Sequence, residues 1–337
     1  MKIGILTHPL GVNYGGILQA YALFTVLKQM GHQVIILRRD HDMSFFKNIV
    51  KKFLILINYP RYNSPKYRKL HQFIKSHIYE SPRLSSTEEL KSFVKKKCLD
   101  LVIVGSDQVW RADYAMRFGY DYFLDFVPEG IKRASYAASF GLSEWNYSAE
   151  QSEIIKNLLK KFCSVSVREF DGQMLCEKYL NCNPDIVLDP TMLLPVDHYE
   201  SIIGKRIVDE SYVYVYWLGS DEDKLKILDR YKNMKIVDVS LRQGEPLSSV
   251  EEWLSYIKYA DVVITDSFHG CVFSLLFHRQ FVMHVNKTGG FGRIESLYKL
   301  FEIDYKLLNI YQEIDYSFFD EKLKDWRIRS MNYLKSL

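Results

Sequence analysis

The segment Thr265-Asp266-Ser267-Phe268-His269-Gly270 sets a carboxylate, a hydroxyl and an imidazole side by side. Imidazole is the side chain whose ordinary pKa lies nearest neutrality, so His269 is a candidate for moving protons. The same residues also fit a plain helix cap, with Asp266 or Ser267 bonding free N–H groups and His269 simply packed. Arg168, next to Glu169, follows the apolar Val165-Ser166-Val167. A guanidinium emerging there can grip a carboxylate or phosphate bidentately, or pair with a neighbouring acid. Lys287 and Arg293 flank Thr288-Gly289-Gly290-Phe291-Gly292. Two cations around a flexible turn suit a small, highly charged ligand.

Two further clusters are Asn13 with Gly15 and Gly16, and Ser106 with Asp107 and Gln108. The glycine pair permits close backbone approach and leaves helix N–H groups open for an anion, although a tight turn would need the same glycines. The carboxylates Asp107, Glu169, Asp189 and Asp266 suit sugar hydroxyls or the orientation of His269. Their spacing gives no recognisable metal ligand set, and none is expected. G-x-G-x-x-G, the P-loop, H-E-x-x-H and an ordered Ser-His-Asp set are all missing.

These clusters share one position: each follows an apolar β-branched run and precedes a helical pattern. Strands are predicted at Lys2–Thr7, Gln33–Leu37, Leu99–Val104, Ala134–Ala138, Ser164–Val167 and Asp185–Leu188. A second series is predicted at Tyr212–Leu218, Lys235–Val239, Val262–Thr265 and Phe281–Val285, with helices between. Repeated strand–helix units imply parallel sheets covered by helices, with ligands outside the carboxyl ends of the strands. The fold class is therefore α/β, two Rossmann-like domains facing a central cleft. Their expected limits are 1–195 and 196–337, with Leu193–Ser211 as crossover and the last helix able to pack back on the first domain.

Composition bounds the partners. The 337 residues are 47% apolar and 26% charged, ordinary values for a globular chain. Five cysteines, an odd number with no C-x-x-C pair, argue against a disulfide framework. No run approaches the ~20 apolar residues that span a bilayer, and the amino terminus reads as a strand rather than a signal peptide, so a cytoplasmic location is expected. The net charge of +4 is uneven. Residues 43–79 hold eight Lys or Arg, no Asp or Glu, and many interleaved aromatic and aliphatic residues. Such an excursion suits either an anionic membrane surface or a solvated helix packed on its apolar side, and no nucleic-acid motif accompanies it. Aromatics, at 15%, suit sugar stacking or core filling.

Four blocks stand in order along the chain: Asn13-Tyr14-Gly15-Gly16-Ile17-Leu18-Gln19-Ala20-Tyr21-Ala22-Leu23, Val104-Gly105-Ser106-Asp107-Gln108-Val109-Trp110, Ser166-Val167-Arg168-Glu169 with Asp189-Pro190-Thr191, and Thr265–Gly270. Together they resemble the polysaccharide pyruvyltransferases. The resemblance implies a GT-B-like fold and transfer of pyruvate from phosphoenolpyruvate to two hydroxyls of one sugar as a cyclic ketal. It assigns catalytic roles to Arg168 and His269 and donor binding to Lys287, with no cofactor besides the co-substrate. Many members carry Arg two residues before the histidine, where this chain has Ser267; Arg293 is the available substitute. The expected acceptor is a sugar or lipid-linked oligosaccharide of a surface-polysaccharide precursor. Two other functions suit the same residues: a GT-B glycosyltransferase using a nucleotide sugar, and a glycan- or anion-binding protein without catalysis.

Overall fold

The computed structural model describes residues 1–40, 65–219, 221–239, 247–285, 291–304 and 314–337. Strands β1 (Lys2–Leu6), β2 (Gln33–Leu37), β3 (Leu101–Val104) and β4 (Lys132–Ser135) form a parallel sheet in the order β2-β1-β3-β4. Ile3 of β1 stands opposite Val34 and Leu101. A short pair, β5 (Ser166–Val167) and β6 (Asp185–Ile186), joins this sheet through bridges from Ala134 to Ser164 and from Ala138 to Val167. The second sheet runs β10-β9-β7-β8, from β7 (Tyr212–Tyr216), β8 (Lys235–Asp238), β9 (Val262–Thr265) and β10 (Gln280–Met283), again all parallel. Each sheet therefore starts with one winding, the second strand beside the first and then the third and fourth. Apart from the edge strand β8, their Val, Ile and Leu runs are largely buried, as in parallel sheets covered by helices.

Helix α1 (Tyr14–Gln29) is buried along most of its surface, as a helix between two sheets must be. Tyr14 stacks on Trp253 at 5.3 Å, and Trp253 meets Phe273 edge-on at 5.5 Å. The Tyr14 hydroxyl donates to the Ser248 carbonyl at 2.8 Å. Such aromatic pairs contribute about 0.5–1.5 kcal/mol each beyond their buried area. They make one continuous core from α1, the helix Val250–Tyr259 and the helix Phe268–Leu276. The largest aromatic side chains are thus core, with Trp110, Trp253, Tyr122 and Tyr136 fully buried.

The carboxyl-terminal helix Tyr316–Ser336 lies against the first sheet. Tyr333 donates to the Ser135 carbonyl at 2.8 Å, and Arg327 donates to the Met192 and Leu194 carbonyls at 2.6 and 2.9 Å. The crossover Leu193–Ser211 includes a short helix, Val196–Ile202, with Pro195 at its cap, where a missing N–H costs no helical bond. The chain pattern predicts the helix after β9 over Gly270–Phe277; it begins at Phe268, so His269 sits in its first turn. Much of the basic excursion, residues 41–64, lies outside the described residues. Its later part forms the helix Arg68–His77, where Lys69 pairs with Glu252 at 2.6 Å. No helix among the described residues is long and apolar enough to cross a membrane.

Candidate active site

The carboxyl ends of both sheets point toward one cleft, and two caps fix its floor. Asn13 accepts the Gly16 N–H at 3.1 Å and starts α1. Ser267 accepts the Gly270 N–H at 3.4 Å and starts the His269 helix, so the capping role read for Ser267 is the one it fills. Thr265 locks the turn between, accepting the Ser267 N–H at 3.0 Å and donating to the Tyr216 carbonyl at 2.8 Å. Asp266 accepts the N–H groups of Leu218 and Gly219 at 2.8 and 2.6 Å, tying β9 to the loop after β7. Burial raises its carboxyl pKa against those two bonds.

A buried charge cluster lies behind this floor. The Arg168 guanidinium donates to Asp189 at 2.5 Å and to Asp107 at 3.0 Å, and its Nε lies 3.7 Å from Glu169. Its side chain is 1% exposed. Of the two roles open to Arg168, a substrate grip at the cleft edge and pairing with acids, the second is the one it fills: three carboxylates already surround it. Burial alone would raise the Asp107 carboxyl, but Arg168, then His8, His269 and Arg293, bring it down to about 2. Asp189 is likewise held well below the usual carboxylate range: His269, Arg168 and Thr191 together outweigh its burial. Glu169 goes the other way, since burial raises it more than Arg168 lowers it. Ser106 lies beneath, donating to Asp189 at 3.4 Å and accepting the Asp107 N–H at 2.6 Å.

His269 faces this cluster with Nε2 3.7 Å from Asp189 Oδ2. Its ring rests on Gly15, where an added Cβ would overlap the imidazole, Nδ1 first. Only glycine leaves the ring that place. Gly15→Ala should therefore push the imidazole aside, lowering kcat by at least about the 10²-fold that a positioned acid–base group supplies. The accompanying overpacking should cost about 1–3 kcal/mol, read as a lower Tm. An unchanged kcat with a well-folded variant would show that the ring position is unimportant.

Two cavities meet here. One of about 260 Å³ is lined by Asn13, Asp107, Gln108, Asp266, His269 and Arg293, among others. The other, about 600 Å³, lies on the side of the first sheet, lined by His8, Tyr67, His71, Tyr114 and Arg117. It shares Asn13, Asp107 and Gln108 with the first, and Gly16 lines it too. Arg293 has no hydrogen bond or ion pair among the described residues, and its Nε is sealed from solvent without a partner. Its guanidinium lies 5.9 Å from the Phe268 ring, which also carries Arg168 at 4.8 Å. Burial and the nearby Arg168 charge lower the Arg293 pKa. Lys287, Gly289 and Gly290 lie outside the described residues. Among the described residues no His, Cys, Asp and Glu side chains cluster in a way that could hold a metal ion.

Three residues of this cleft escape the sequence reading. His8 lies just beyond β1, edge-on to Tyr114 and Tyr122, with its Nε2 buried and unpartnered. His284 follows β10 and stacks on Trp217 at 4.9 Å. Tyr67 reaches the larger cavity from the described end of the basic excursion. The strand-end rule that selected Asp107 and His269 would have selected both histidines.

Residues 13–287 match the family model for polysaccharide pyruvyl transferases. The chain belongs to that family. No curated protein matches it in sequence. Solved structures share its fold at low identity. A Listeria monocytogenes protein described as a UDP-N-acetylglucosamine 2-epimerase is 13% identical at a TM-score of 0.52, covering 97% of this chain and 90% of its own. Staphylococcus aureus MnaA, solved with UDP, is 12% identical at 0.51, covering 96% and 88%. A Rickettsia africae glycosyltransferase is 12% identical at 0.50, covering 98% and 93%. The architecture is thus GT-B-like. As a polysaccharide pyruvyl transferase, the enzyme moves a pyruvyl group to a sugar acceptor in polysaccharide biosynthesis.

Proposed function

We propose that this pyruvyl transferase takes phosphoenolpyruvate as donor and builds a cyclic pyruvate ketal on one sugar of a surface-polysaccharide precursor. The observation that carries this reading is the unpaired Arg293 cation in the same small cavity as His269. A desolvated cation with no hydrogen bond or ion pair among the described residues, which Asp107 and Glu169 offset only from a distance, calls for an anionic ligand. At about 260 Å³ the cavity beside His269 and Arg293 has room for a small anionic donor such as phosphoenolpyruvate. Lys287, just outside the described residues, is the second donor-binding cation of this proposal. The larger adjoining cavity, with its tyrosines, suits the sugar acceptor.

The chemistry assigns a task to each group. One sugar hydroxyl adds to the enol carbon of the donor while a proton reaches its methylene, which becomes the methyl. The second hydroxyl then displaces phosphate at the same carbon. Of the two hydroxyl protons, one ends on the methyl and the other leaves with phosphate or solvent. His269 is the acid–base group for these transfers. Asp107, held ionised with a pKa of about 2, is too weak a base to share that task. It borders both cavities and positions hydroxyls as a hydrogen-bond acceptor. Arg168 keeps Asp107 and Asp189 in place from behind.

Arg293→Gln should raise KM for phosphoenolpyruvate by about 10–100-fold, the worth of a charge-assisted hydrogen bond of roughly 1.5–3 kcal/mol. KM for the acceptor should change little. Phosphate release with lipid-linked galactose, glucose or N-acetylmannosamine, set against nucleotide release from sugar nucleotides, separates this reading from the glycosyltransferase one. Glycan binding with no donor consumed would favour the non-catalytic one.

The basic excursion leads us to place the enzyme at the inner, anionic face of the membrane, where a lipid-linked acceptor resides. Neutralising Lys47, Lys51, Lys52, Lys66 and Arg68 should weaken partitioning onto anionic vesicles by about fivefold for each of these charges that lies at the surface, since each nearby cation contributes about 1 kcal/mol. Lys69 is spared because it pairs with Glu252. Unchanged sedimentation would remove the membrane from the account.

A further inference from the structure

We infer that Asp189 and His269 form a dyad in which Asp189 holds the Nε2–H tautomer and Nδ1 is the atom that exchanges protons with substrate. This rests on the pyruvyl-transfer reading for its purpose, though not for its geometry. The two ring nitrogens have different surroundings. Nε2 is sealed from solvent and has no hydrogen-bond partner, but it points at Asp189 Oδ2, 3.7 Å away. A small turn of the ring closes that gap to hydrogen-bond length, as catalytic contacts do when substrate binds. Nδ1 lies over Gly15, makes no hydrogen bond among the described residues, and is not sealed off. Since the ring lines the smaller cavity, Nδ1 is its route to a ligand.

Asp189 is built to hold one orientation. Oδ1 accepts the Thr191 N–H at 3.0 Å and the Thr191 hydroxyl at 2.7 Å. Oδ2 accepts Arg168 at 2.5 Å and Ser106 at 3.4 Å. These donors keep it ionised, so it can only accept from Nε2, and Nε2 must carry the proton. That leaves the Nδ1 lone pair free to take a hydroxyl proton. The imidazolium so formed is stabilised by the Asp189 charge, and Nδ1 then delivers the proton to the donor methylene. Asp189 acts through His269 and is a positioning residue.

The test is ¹⁵N NMR on uniformly ¹⁵N-histidine-labelled protein at alkaline pH, with His269 assigned among the nine histidines by its loss in His269→Gln. We expect a protonated Nε2 and an unprotonated Nδ1 in the wild type. Asp189→Asn should shift the ring toward the Nδ1–H form and lower kcat by about 10²–10⁴-fold, with KM for phosphoenolpyruvate within a few-fold. A wild-type ring in the Nδ1–H form would overturn the dyad even if the Asn variant fails to fold. So would an Asn variant with unchanged tautomer and kcat. An Nε2–H ring in a protein that consumes no phosphoenolpyruvate would uphold the dyad and sink the function proposed above.

Discussion

His269→Gln should lower kcat by about 10²–10⁴-fold while KM for phosphoenolpyruvate moves little. Gln keeps most of the side-chain volume and reaches toward Asp189 as Nε2 does, but it neither takes nor gives a proton at neutral pH. The imidazole is nearly buried, at 7% side-chain exposure, and rests on Gly15 and edge-on against Phe268 at 5.1 Å. Substitution by Ala would add a cavity to the chemical loss, which is why Gln isolates the chemistry. On the proposed roles donor affinity rests on Arg293, on a different helix, so binding and turnover should separate. Steady-state kinetics alongside circular dichroism checks this. A folded Gln variant with wild-type kcat would remove His269 as the acid–base group.

Arg168→Gln should cost about 3–5 kcal/mol of stability at neutral pH, because it strands Asp107, Asp189 and Glu169 without their shared cation. The loss should shrink in acid. In the wild type, Asp107 titrates near 2 against an ordinary 3.8, so its stabilisation of about 2 kcal/mol is present above pH ~4 and lost as pH falls toward 2. Asp189, also depressed, follows the same sign. Glu169, raised by burial, runs opposite and offsets part of it. Without Arg168 the two aspartates should titrate higher, and protonating them should relieve the strain the variant carries. Urea denaturation at pH 7 and pH 4 reads the difference. A variant destabilised equally at both values would mean Arg168 contributes by packing rather than by charge.

Much of this was legible because local rules govern it. β9 and β2 fall on the predicted residues, as hydrophobic runs between turn residues should. Ser86 and Ser249 cap helices by accepting the Glu89 and Glu252 N–H groups, a pattern visible in the chain. The cleft's position followed from topology, since parallel sheets gather their strand ends. What was not legible is how distant charges pair. Arg168 looked like a substrate grip because its partners, Asp107 and Asp189, lie 61 and 21 residues away. Once those pairs form, Arg293, already legible as an anion contact beside a glycine-rich turn, is left without a hydrogen bond among the described residues. Gly15 was read as a turn or an anion cradle; it is the space His269 occupies, and no single-chain pattern encodes a contact across 254 residues.

The most direct test follows carbon from donor to acceptor. Phosphoenolpyruvate labelled with ¹³C at all three positions is incubated with the enzyme and a lipid-linked sugar acceptor, and the product is examined by NMR. The account predicts a labelled methyl joined to a quaternary carbon that bears two sugar oxygens and a carboxylate, formed one for one with released phosphate. Label that stays in phosphoenolpyruvate, while a sugar nucleotide loses its nucleotide to the same acceptor, would contradict it.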